Sequence, residues 1–143
     1  MQQYKSEAGK VVPPQLQGAF ERVIIAGHRL LYSKEMKPIV DKQLATESPA
    51  ENKIAEGAVA IMLMLIQKSK PKMPQEVVVP GVVELVFEIE DFLVQGGVIE
   101  PLTEDQKKFS LQIAIGMMLK KLGADQNTVM GVLTKGKDFS GAA

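Results

Sequence analysis

Apolar residues recur along most of this chain at the three-and-four spacing of an α-helix. From Pro14 onward, Leu16, Phe20, Val23, Ile24, Gly27, Leu30 and Leu31 line one helical face. Pro38 disfavours helical geometry at Lys37, which predicts an end to this helix near Lys34–Met36. Pro38 can then open a short second helix carrying Ile39, Val40 and Leu44, because a first turn tolerates proline.

Ser48-Pro49-Ala50-Glu51 predicts the next start. Ser48 would accept from the backbone three residues on, and Glu51 would reach back to the Ser48 amide. The helix is expected from Pro49 to about Lys68, with a second half, AVAIMLMLIQ, that is apolar almost all round and suits the centre of a bundle. A basic connection, Lys68–Pro74, follows. Val77–Val79 has strand propensity, but no second convincing strand exists to pair with it. The favoured alternative is a helix that begins near Pro74 and kinks at Pro80, or restarts there. Val82, Leu85, Val86, Ile89, Phe92 and Leu93 form its stripe and Gly96-Gly97 ends it. Thr103–Gln106 repeats the capping logic and leads into Phe109, Ile113, Met117 and Leu119–Leu122. Gly123 is the expected left-handed stop, after which Asp125 can cap a short helix carrying Val129, Met130 and Leu133.

These elements predict an all-α fold, a compact bundle of four main helices plus two short ones. Residues 1–13 read as an extended N-terminal arm, 14–134 as the helical bundle domain, and 135–143 as a C-terminal tail. The short connections favour antiparallel neighbours.

Composition narrows the chemistry. Of 143 residues, 45% are hydrophobic and 24% charged, as in ordinary globular domains. Aromatics are only 5% and Trp is absent, so the core must be aliphatic, with eight Met helping to fill it. Zero Cys removes disulfides, thiolate nucleophiles and thiolate metal ligation. The formal net charge is zero, which argues against sequence-specific or general nucleic-acid binding. The charge is unevenly spread: residues 76–102 hold six acids and no base, whereas residues 1–75 hold eleven bases and seven acids. Met1–Lys10 has no apolar stretch, so no secretory signal is expected. The longest apolar run, Ala58–Ile66, is nine residues against the roughly 20 a bilayer crossing needs.

Each chemical candidate has a plain structural counterpart. Glu84, Glu88 and Asp91 share one helical face, opposite the stripe. Di-metal bundle sites also require Glu-x-x-His pairs, which this chain lacks, so a solvated face or a docking surface for another subunit's lysines is the better reading. His28, the only histidine, is expected to have neither Cys nor a nearby acid to orient it and reads as a helix-surface residue. Gly131–Lys137 has phosphate-loop spacing, but Asp138 stands where Ser or Thr should hold Mg²⁺. The lysines of Lys68–Lys72 have no aromatic among them on which bases could stack. Met62, Met64, Met117 and Met118 suit either core filling or an adaptable partner surface. No catalytic, metal or cofactor site is expected. The expected interface residues are Glu84, Glu88, Asp91, Met62, Met64, Met117 and Met118.

The succession RVIIAGHRLLYSKEMKPIV, a Pro-capped helix rich in Ala, Ile, Leu and Met, and then KMPQEVVVPGVVELVFEIEDFL resembles small helical virion proteins of tailed bacteriophages. The resemblance runs over residues 16–133 and includes Tyr32-Ser33-Lys34-Glu35 and the step from Met73-Pro74 to Val79-Pro80. It implies a non-enzymatic head, portal-vertex or ejection component, in the virion and, during assembly, in the host cytoplasm. Its partners would be copies of itself and other virion proteins, with membrane contact only on ejection. Two alternatives stand beside it: a helical module that captures a partner helix in a Met-rich groove, and a membrane-active protein that inserts Ile54–Ile66 and Ser110–Leu119.

Overall fold

The computed structural model describes residues 12–45, 47–69 and 73–123. It is all-α, with no strand among the described residues. A 3-10 turn, Pro14–Leu16, runs into α1, Gln17–Leu31. Then come the short α2, Lys37–Leu44, and, with α1, the other three long helices α3, Ala50–Lys68, α4, Gln75–Gln95, and α5, Glu104–Lys121. The final short helix expected after Asp125, the phosphate-loop look-alike and most of both arms lie outside the described residues. Of the N-terminal arm only Val12 and Pro13 are described, and Val12 is buried, its carbonyl accepting from Gln17 Nε2 at 2.9 Å.

The caps explain most element ends. Thr103 and Gln106 form the predicted reciprocal box: Gln106 N–H donates to Thr103 Oγ1 at 3.2 Å and Thr103 N–H to Gln106 Oε1 at 2.9 Å. Gly97 and Gly123 adopt positive φ, 73° and 80°, at the two C-terminal stops. After α4, the Val98 amide returns to Leu93 O and the Gly97 amide to Val94 O, which satisfies two carbonyls of the last turn.

Two expectations are corrected. The cap of α3 is Pro49, without a side-chain cap bond, so Ser48 lies one residue too early for its box. Instead the Asn52 and Lys53 amides both donate to Pro49 O. α1 ends at Leu31, short of Lys34–Met36, where Ser33 Oγ binds back to Leu30 O at 2.6 Å and diverts the chain. The favoured helical reading of Val77–Val79 holds: α4 runs from Gln75 through Pro80, which sits in its second turn.

α3 and α4 form an antiparallel central pair, with Gly57 near Ile89 and Gly81 near Met62. α1 packs across both from one flank and α5 across both from the other. Along the chain, α1, α3, α4 and α5 alternate in direction, so the flanking helices each run parallel to one central helix. α1 and α4 meet in a parallel seam of reciprocal pairs, Val23 against Gly81 and Leu85 against Gly27. α4 is the most enclosed element, with twelve of its 21 residues buried. The core joins Phe20, Ile24, Ile54, Ile61, Leu85, Leu111 and Ile115 across all four long helices.

Candidate functional site

Enclosure of α4 decides where its acids go. Glu84 is only 6% exposed, because three helices surround α4 and leave it little solvent face at that level. It is not part of an open acidic surface, as its helical spacing had suggested. Glu88 is partly exposed and meets His28: Nδ1 and Oε2 are 3.1 Å apart. Asp91 is exposed and accepts from Gln95 Nε2 at 2.9 Å. The three carboxylates thus split into a buried, a paired and a solvated group. Among the described residues no three His, Cys, Asp or Glu side chains gather as a metal site.

The His28–Glu88 pair is an acid partner that sequence spacing could not reveal, since the residues are sixty positions apart. It continues the α1–α4 seam outward: His28 lies against Tyr32, with ring centroids 4.8 Å apart, and Tyr32 meets Phe92 edge-on, also at 4.8 Å. Neither His28 nor Glu88 lines the groove between α1, the end of α3 and the start of α4.

Glu90, absent from the sequence-level candidates, is buried and accepts from the Leu102 amide at 3.1 Å. It anchors the α4–α5 hairpin. Its position among the apolar residues of the last turns of α4 was the available signal, because a carboxyl group placed there needs an internal donor.

The four methionines also divide. Met62 and Met118 are fully buried and fill the core, so neither reaches a partner in the folded molecule. Met64 and Met117 are half-buried and partly face solvent.

Two surfaces can act by contact. One is a groove of about 610 Å³ between α1, the end of α3 and the start of α4. Its floor includes Val23, Ala26, Leu65 and Met73, and Arg22, Arg29 and Lys68 stand among its walls. Lys68 already bonds Glu35 at 3.0 Å, an exposed pair of small energetic weight. The groove contains one methionine, not a Met-rich lining.

The other is the outward face of α5. The apolar positions expected on α5 were Phe109, Ile113, Met117 and Leu119–Leu122; of these only Leu119 is buried, and the inward side is Ser110, Leu111, Ala114, Ile115, Met118 and Leu119. Ser110 Oγ donates to Glu51 O at 2.9 Å and fixes that rotation. Phe109 is therefore 50% exposed, with Ile113 and Met117 half-buried beside it. Apolar residues occur on both faces of α5, so spacing alone could not choose the inner one. No helix among the described residues is long and apolar enough to cross a membrane. No protein-family model, curated protein or solved structure matches this chain.

Proposed function

We propose that this is a non-catalytic assembly protein whose working surface is the outward face of α5. The observation that carries the reading is Phe109, half exposed and followed by Ile113 and Met117 on a helix whose other face is already satisfied. An apolar face on a regular, capped helix marks contact with another protein more often than chemistry. On the resemblance of the sequence alone, the assembly is a tailed-phage particle, and mass spectrometry of purified particles tests that part directly. The assembly reading is tested in native extract. The chain is expected in a complex well above its own 15.6 kDa, and Phe109→Asp is expected to shift it to monomer mass. Wild-type chain at monomer mass would overturn the reading.

A second reading, a module that captures a partner's helix, is supported by the groove. Its apolar floor and three cations suit an amphipathic helix with an acidic outer face. A synthetic peptide of that design should shift the NMR signals of Ala26, Leu65 and Met73. No shift at peptide saturation of the assay would remove this reading.

A further inference from the structure

Resting on the assembly reading, we propose that α5 pairs with α5 of a second copy, antiparallel, about a two-fold axis passing between Gln112 and Ile113. The outward line of the helix carries, in order, Asp105, Phe109, Gln112, Ile113, Gly116 and Lys120. None of these side chains is buried, and Asp105, Phe109 and Lys120 are exposed. Two copies laid antiparallel about that axis set Phe109 over the partner's Gly116, Gln112 beside the partner's Ile113, and Asp105 opposite the partner's Lys120. The ring thus meets a glycine and each Asp105 meets a lysine.

Gly116 is the informative residue. Among the described residues a Cβ built there meets nothing within 4 Å, so their packing does not call for glycine. Glycine inside a helix is nevertheless unfavourable. Seating an aromatic ring from a second copy supplies a reason for it. The acids of the first turn and the lysines of the last also complement the helix dipole, and that alone would account for their sign. It does not account for Phe109 and Gly116 standing symmetrically about the same centre as Asp105 and Lys120. Parallel pairing would instead bring like charges together at both ends and Phe109 onto the partner's Phe109.

An 18-residue helix is about 27 Å long and about 10 Å wide. The contact is smaller than the roughly 800 Å² per partner of a standard interface, so dissociation is expected on the order of micromolar. Exposed charge pairs of this kind fix register more than affinity.

The test is sedimentation equilibrium of the purified full chain across the micromolar range. The expected result is a monomer–dimer equilibrium. Gly116→Leu should weaken it by about ten-fold or more by unseating the ring, without lowering helical content. Asp105→Lys and Lys120→Asp should each weaken it about three- to ten-fold, and the double variant should restore it to within about two-fold. A monomer throughout, or a dimer indifferent to Gly116→Leu, overturns the pairing. Loss without rescue in the double variant overturns the antiparallel register. If the purified chain is monomeric while the native complex persists and remains sensitive to Phe109→Asp, the pairing fails and the assembly reading stands. If both are absent, both fail.

Discussion

Three glycines in long helices face different demands, and a methyl group added at each gives a different result. At Gly27 it would stand 2.6 Å from Leu85 Cδ2, inside the α1–α4 seam. At Gly81 it would meet Met62 Cε at 2.6 Å and Val23 Cγ1 at 3.3 Å. At Gly116 it would meet nothing within 4 Å among the described residues. Gly27→Val should therefore destabilise the fold by about 1–3 kcal/mol through overpacking. Gly116→Ala, measured where the chain is monomeric, should stabilise it by about 0.5–1 kcal/mol through helix propensity. Urea unfolding midpoints compare the two. Glu90 makes the matching argument for a polar group. Glu90→Ala leaves the Leu102 amide without that acceptor and should cost about 1–3 kcal/mol, whereas Glu90→Gln keeps an oxygen in place and should cost less than about 1 kcal/mol. Equal losses in the two variants would show that the hydrogen bond is not what matters there. Gly27 was legible as part of an apolar stripe, but its close approach to Leu85 was not, because a stripe does not say which helix will face it.

Helix positions were legible where local chemistry acts alone. Thr103, Gly97 and Gly123 end or begin their helices through bonds and φ angles that need no tertiary partner. Ser48 had the same apparent credentials, yet Pro49 occupies the cap. Thr103→Ala should accordingly cost about 0.5–2 kcal/mol, while Ser48→Ala should change stability by less than about 0.5 kcal/mol. Thermal melts of both variants decide this, and a Ser48 effect equal to that of Thr103 would contradict the observed cap. Faces were legible on α1, where the six buried residues all lie on the predicted stripe. They were not legible on α5, whose two sides are both apolar, so that packing against α3 and α4 had to choose. α3 shows a related limit. Its richly apolar second half supplies Ala58, Val59, Ile61 and Met62 to the core but is only half-buried at Leu63, Met64, Leu65 and Ile66. Ser110 bonds near the start of α3, and the same offset sets the end of α5 level with Met62. The last turns of α3 therefore run past its neighbour.

At the scale of the molecule, the all-α bundle followed from the chain's periodicity, whereas its diagonal arrangement did not. Which helices would sit centrally depends on contacts between residues far apart in sequence, such as Gly81 with Val23 and Met62. The candidate surfaces have the same origin: the groove exists only because α1 leans across the end of α3 and the start of α4. If α5 joins two copies, the melting temperature must rise with protein concentration, since association stabilises only the folded form. Calorimetry over a hundred-fold dilution series is expected to show that rise in the wild type and to lose it in Phe109→Asp. The edge-on contact between Tyr32 and Phe92 also has a practical use. The chain has no Trp and two Tyr, so its intrinsic ultraviolet emission comes from tyrosine, and with Tyr4 replaced by Phe it would come from Tyr32 alone. A ring lodged across α1 and α4 then becomes a built-in optical gauge of whether those two helices part before the rest of the molecule melts.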